Sequence, residues 1–491
     1  MGRAAPRGGR ALIPVPAVPI PSVPLPPPPP AYIGAPASAH PIRGVPRTPQ
    51  NPHMSPNGTS SIHNDGWQTN AFTWGGPLGR SPQELSTMII RDCGSITFDS
   101  QGRVVSVCVG ASGPQLYMFD PNTLATLATF SLPPRQSVPS NLFQDYTGGG
   151  YFYLDNHDQV VTSTTTHHIY VIAETPGAPP GFTLTHDYDL SKVVTSSEGI
   201  TSALPDQHGL LWVVTKTDGV VLTLNLRNGA IRSIKLGNGA VGEIENSFAT
   251  DQHGGVYIAT NRKLYRFTAG RNDAPKITWQ IAYPNSGEHK IGQVDDGTGT
   301  TPLVMPGGYV SITDNADPMD IVVYRTAVHL KKHQRRLVCK VPVFSKGASA
   351  TENSLIGAGR AMIVENNYGY QDPTDTGEGK LTSPGFTRVD LNRNGKGCHV
   401  VWTNTTERAP SVVPKVSLAN GLVYTYTKDP GMSDPWYWTT LSFRTGRVVY
   451  KQFAGSNPSS FYNNNYAGIQ FSRNGVEYLG TLGGLIALRD S

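Results

Sequence analysis

Glu-Asn-Ser occurs twice in this 491-residue chain, at 245–247 and 352–354, each time just ahead of a short apolar run of β character. Similar residues gather at comparable places: Glu198 in SSEGIT, Glu243 in GEIENS, and Asn463, Asn464 and Asn465 in YNNNYAG. Asp314, Asn315 and Asp317 (TDNADP), Glu365, Asn366 and Asn367 (ENNYGY), and Asp429 and Asp434 (KDPGMSDP) occupy connections further along the same units. Carboxylate and amide oxygens brought to one point suit a hard divalent cation, since calcium takes about six to eight oxygen ligands. Glu245, Asn246, Glu352, Asn353 and Asp314 are therefore the candidate ligands for Ca2+ or another divalent metal. The plainer alternative is that Asn and Asp make turns and each Glu caps a backbone N–H, with Arg360 and Lys415 balancing the charge. His167 and His168 follow the run Thr164–Thr166, and His168 with Glu198 are the candidate catalytic residues for moving a proton.

These positions become meaningful through the elements that carry them. Glu245–Thr268 reads as three strands: Asn246–Thr250, then the turn Asp251-Gln-His-Gly254, then Gly255–Thr260 and Lys263–Thr268. Comparable turns end at Gly102, Asp158, Gly209, Gly308, Gly359, Gly421 and Gly475, at steps of 45 to 62 residues. A sheet of this kind cannot bury both faces alone, so its copies must stack. The expected fold is all-β, a β-propeller of eight four-stranded blades, with seven as the alternative count. If the aligned turns, with His157, His208 and His253, lie on one face, the acidic and amide residues gather on the other. His53 and His63 fall before the repeats, where the pattern does not place them.

The repeat fills residues 86–491. Residues 40–85 lack it but contain Trp67, Phe72 and Trp74, too apolar for a free tail, and a strand from 66–76 is expected to complete the last blade and close the ring. Residues 1–39 hold the proline tract Ile13–Pro30, suited to polyproline II or disorder, and Ala37-Ser-Ala39, which has the form of a signal-peptidase site. Export is expected on that basis. No proline-free apolar run of about 18 residues occurs, so no membrane span is expected. A net charge of +5 excludes the broad basic footprint of nucleic-acid binders, and the dense basic run His329–Arg336 reads as an exposed loop between outer strands. A hairpin centred between Ser100 and Gln101 sets Cys93 opposite Cys108 as a candidate disulfide, whereas Cys339 and Cys398, on outer strands of neighbouring blades, are expected to be free thiols.

Through its repeated turn-and-strand units the chain resembles the quinoprotein-like and gluconolactonase-like β-propellers. The resemblance implies a divalent metal held at the channel mouth by groups similar in kind to Glu245, Asn246, Glu352 and Asn353. The adjacent cysteines and per-blade tryptophan motif of quinoprotein dehydrogenases are absent, so PQQ is not expected as a cofactor. Two functions stay open. One is an exported monomeric enzyme acting, with metal assistance, on a small polyhydroxylated or lactone-like molecule. The other is a non-catalytic propeller binding a glycan or protein, with Trp436, Tyr437 and Trp438 as a stacking surface. No nucleophile elbow, phosphate loop or HExxH pattern is present.

Overall fold

A computed structural model describes residues 28–135, 144–237, 241–373, 379–431, 433–456 and 460–491. The tract before residue 28, which includes most of the proline run, lies outside the described residues. Eight antiparallel sheets form the blades of a propeller. From blade 1 to blade 8 the innermost strands are Asp92–Phe98, Phe152–Leu154, Ile200–Pro205, Ala249–Thr250, Leu303–Met305, Ile356–Ala358, Lys415–Ser417 and Gln470–Phe471. Middle strands such as Leu211–Thr215 are buried at every position, because blades pack face to face. Outer strands such as Ile231–Lys235 expose part of their length.

The repeated turn has one physical cause in four blades. The first Asp accepts backbone N–H bonds with Oδ1: Asp99 from Gln101 and Arg103, Asp155 from His157 and Gln159, Asp206 from His208 and Leu210, Asp251 from His253 and Gly255. The fourth residue adopts the left-handed conformation, which explains glycine at 102, 209 and 254 and tolerates Asp158. In blades 3 and 4 the second carboxylate oxygen accepts from Trp212 Nε1 (3.0 Å) and from the Tyr257 hydroxyl (2.6 Å), tying the turn to the next strand.

Ring closure uses a different strand from the one expected. Blade 8 already has its axial strand and lacks an outer edge, and Gln83–Met88 supplies it by pairing antiparallel with Gly484–Arg489. Tyr32–Gly34 adds similarly to the outside of blade 7. Residues 51–72 instead run through the central channel, and residues 58–70 are all buried there.

This segment answers a hydrogen-bonding problem, because the innermost strand of every blade presents an unpaired edge to the axis. Carbonyls of Ser60, Gly66, Trp67, Thr69 and Asn70 accept from the backbone N–H of Leu154, Thr250, Val304, Gly357 and Val416, in blades 2, 4, 5, 6 and 7. Thr97 Oγ1 donates to Thr59 O in blade 1, Asn51 Nδ2 to Pro205 O in blade 3, and Gln470 Nε2 of blade 8 to Ile62 O. All eight blades therefore touch one axial pin.

Both cysteine pairs are disulfides. Cys93–Cys108 joins the first two strands of blade 1. Cys339 and Cys398, expected as free thiols, are joined as well, because the outer strands of blades 5 and 6 lie side by side and bring the Cα atoms to 5.8 Å. Among the described residues, no helix is long and apolar enough to cross a membrane. Ala37 is buried, and its N–H bonds to Leu78 O within the fold.

Candidate functional site at the channel mouth

The two Glu-Asn-Ser segments lead into the innermost strands of blades 4 and 6, anchored by the buried side chains of Ile244 and Leu355. They bring Glu245, Asn246, Glu352 and Asn353 to a single chamber of about 50 Å³ beside the pin, walled by Tyr151, Tyr466 and His63. Asn246 Nδ2 donates to Glu352 Oε1 (3.2 Å), and Asn246 Oδ1 accepts from the Tyr151 hydroxyl (3.1 Å). Glu352 Oε2 accepts from Val294 N (2.9 Å), while Asn353 Nδ2 donates to Glu365 Oε1 (2.6 Å).

The two glutamates have different electrostatic surroundings. Glu245 pairs with Lys216 Nζ at 2.8 Å. Burial pushes Glu245 up to about 7 despite that ammonium. Burial and the charge of Glu245 push Glu352 up to about 8, so it is largely protonated near neutrality. Asp295, on the connection between blades 4 and 5, is raised by burial and by Glu352, Glu245 and Glu243. Burial above all keeps His63 uncharged, its Nε2 lying 3.3 Å from Ser354 Oγ and its Nδ1 3.1 Å from Asn70 Oδ1.

The other candidates lie elsewhere. Asp314 caps its own loop, with Oδ1 accepting from Ala316 N and Asp320 N. Glu198 is held by the backbone N–H groups of Gly199, Thr217 and Asp218. His168 begins the third strand of blade 2, where Nδ1 meets Asp187 Oδ1 of the outer strand at 2.5 Å; it is His167 that touches Glu198, through the latter's carbonyl. His168 and Glu198 therefore do not form a catalytic pair. Lys415 does not balance the glutamates either, being bonded to Asn70 and Ile62 of the pin, and Arg360 is bonded to Asn392 O.

Nor are these residues gathered as one cation site: among the described residues no three His, Cys, Asp or Glu side chains are grouped to hold a metal, Glu245 is engaged by Lys216, Glu352 by Asn246 and Val294, and Asp314 Oδ1 by its own loop, whereas Asp314 Oδ2 and Asn353 Oδ1 are buried without a protein partner. The proposed stacking surface is absent too. Trp436, Tyr437 and Trp438 are each about 1% exposed, Trp436 stacking on Tyr426 and Trp438 donating to Glu84.

Sequence reasoning missed Lys216, Tyr151, Tyr466 and Asp295. Only Tyr466 carried a signal, its place beside Asn465 in YNNNYAG.

A larger hollow of about 390 Å³ opens on the turn face beside Trp67. Its buried carboxyl, Asp65, is already taken by Thr69.

With this geometry the chain compares with known propellers. Quinohemoprotein alcohol dehydrogenase from Comamonas testosteroni superposes with a TM-score of 0.58 at 10% identity, covering 89% of this chain and 81% of that one. The fold is the β-propeller. A europium-containing methanol dehydrogenase gives 0.55 at 10% identity, over 87% and 98% of the two chains. Chaetomium thermophilum Sqt1 gives 0.51 at 10% identity, over 79% and 92%. In sequence, an uncharacterized protein of Archaeoglobus fulgidus is 25% identical over 270 residues, 50% of this chain, and the chain spans about half the length of that relative. No protein-family model matches the chain.

Proposed function

We infer that the protein is an extracytoplasmic propeller that takes a small polyhydroxylated or lactone-like molecule into the chamber and moves a proton on it. Glu352 is the general acid and Glu245 the general base. The observation that supports this is the unequal setting of two glutamates from different blades in one chamber. Lys216 stands 2.8 Å from Glu245 and favours its charged form, while Glu352 has an amide and a backbone N–H and is held protonated by burial. Burial raises both carboxyl groups, Glu245 less than Glu352 because of its lysine, and two acids so graded can divide base and acid roles between them. Asn246 and Asn353 supply amide groups for orienting hydroxyl groups. Two disulfides accord with an oxidising compartment.

The test is a panel of sugars, polyols and aldonolactones screened for a rise in Tm and for turnover, with wild type beside Glu352→Gln. A ligand that stabilises wild type, is turned over by it and not by Glu352→Gln supports the reading. Binding without turnover reduces the protein to a binding module. A panel that neither binds nor reacts removes the proposal.

A further inference from the structure

We propose that the ligand of the chamber carries a protonated amine, which donates to acceptors contributed by Asn353 and Asp92, while the rest of the molecule lies in an adjoining vestibule. This rests on the reading that the chamber is the ligand site, and it specifies what enters.

The amide donors of the chamber and the Tyr151 hydroxyl are committed. Asn246 Nδ2 is committed to Glu352, Asn353 Nδ2 to Glu365, and the Tyr151 hydroxyl to Asn246. Asn353 Oδ1 and the Tyr466 hydroxyl have no protein partner, although their side chains belong to residues only 2% and 8% exposed. Buried polar atoms of this kind are costly when nothing meets them, and Asn353 Oδ1 can only accept, so a ligand that supplies N–H groups is favoured there.

Charge then selects an ammonium over a hydroxyl. Glu352 is held protonated and Glu245 is paired with Lys216, so the carboxylate that attracts the ammonium is Asp92, whose Oδ1 has no protein partner. Tyr146 and Tyr466 pack edge to face at 5.4 Å along the wall, placing aromatic rings beside the acceptors. An ammonium is attracted to such rings as well as to carboxylates.

Next to the chamber lies a vestibule of about 250 Å³ that shares Gly94, Ser95, Tyr146, Gly150 and Asn465 with it. Val107, Val109 and Pro114 give it an apolar side. Asp92 lines it with Oδ1 buried and without a protein partner, and Arg135 there is already paired with Asp145. The arrangement suits a molecule with a cationic amine at one end and a less polar body at the other.

Two matched pairs of probes test this by calorimetric titration: glucosamine against glucose, and phenethylamine against 2-phenylethanol. The amine of at least one pair should bind about tenfold more tightly than its alcohol, a difference of about 1.4 kcal/mol. Asn353→Leu and Asp92→Asn should each cut that preference below about threefold, about 0.65 kcal/mol. Circular dichroism checks folding, and if Asn353→Leu does not fold, Asp92→Asn and Tyr466→Phe decide. Equal binding of amine and alcohol overturns the amine and leaves the chamber as a site for neutral ligands. A preference that survives the folded variants overturns it too, since the amine then binds elsewhere. If no probe binds, both this inference and the assignment of the chamber fall.

Discussion

Lys216 and Glu245 face each other across the seam between blades 3 and 4, with ammonium and carboxylate 2.8 Å apart. Burial penalises the charge of Lys216, but the attractions of Glu245 and neighbouring acids outweigh it and hold the lysine above its ordinary value. Removing the lysine leaves a buried carboxylate unpaired, which costs about 3–5 kcal/mol for a fully buried pair. Because Lys216 is a fifth exposed, Lys216→Met should destabilise by an amount near the lower end of that range in urea unfolding. Adding Glu245→Gln should recover most of the loss, and a double variant no more stable than Lys216→Met would show the pair to be uncoupled.

The buried acids give stability a definite pH dependence. Burial pushes Glu84, Glu352 and Glu365 up to about 8, from an ordinary value of 4.5. Their folded values lie above the unfolded ones, so the folded state holds more protons between the two. The stability they contribute is fully present below about pH 4.5 and is lost as pH rises through about 8. Melting temperature should therefore decline from mildly acidic to alkaline pH, and Glu352→Gln with Glu365→Gln should flatten the decline. A Tm that climbs over that interval would contradict the protonated state assigned to these groups.

Truncation separates the axial pin from the chain before it. A chain starting at His40 loses the edge strand Tyr32–Gly34 and should still give a β-sheet circular dichroism spectrum and a cooperative melt. A chain starting at Arg80 keeps the closing strand Gln83–Met88 but loses every axial contact. It should not fold cooperatively. Equal melting of the two would mean that the ring holds without its pin.

Cys339–Cys398 encloses a separation of 59 residues and Cys93–Cys108 one of 15. Loop-closure entropy assigns about 4 and about 3 kcal/mol to such cross-links. The double variant Cys339→Ser with Cys398→Ser should accordingly melt lower than wild type under non-reducing conditions. Peptide mapping without reductant should recover both linked pairs, and free thiol at Cys339 would break the assignment.

The eight blades could be read from the sequence because the left-handed residue that ends each turn is a local requirement met in all eight, and four of the turns, at 99–102, 155–158, 206–209 and 251–254, add an Asp that accepts two turn N–H bonds. Glu245, Asn246, Glu352 and Asn353 could be placed together because they share a register on different blades. Local reasoning failed where a distant partner decides. Asp314 looked like a ligand until the N–H of Asp320 claimed it. Trp436, Tyr437 and Trp438 looked like a surface until neighbouring residues covered them on both faces. Residues 51–72 carry no period at all, since their task is to meet eight strand edges that converge only in the finished ring.

The pin is made before anything it holds. Ile62 leaves the ribosome 408 residues ahead of Gln470, roughly 20–80 s earlier at about 5–20 residues per second. During that interval the segment has no complete channel to occupy, and each blade emerges with an uncovered inner edge. Contacts so remote in sequence slow folding and lengthen the time for which strand edges are open to wrong partners. The Ser, Thr, Asn and Gly residues of 57–70 suit this delay, since a polar segment can wait in water without collapsing onto the first apolar blade. The native ring therefore cannot be completed until the strands of blade 8 reach a segment made before any blade.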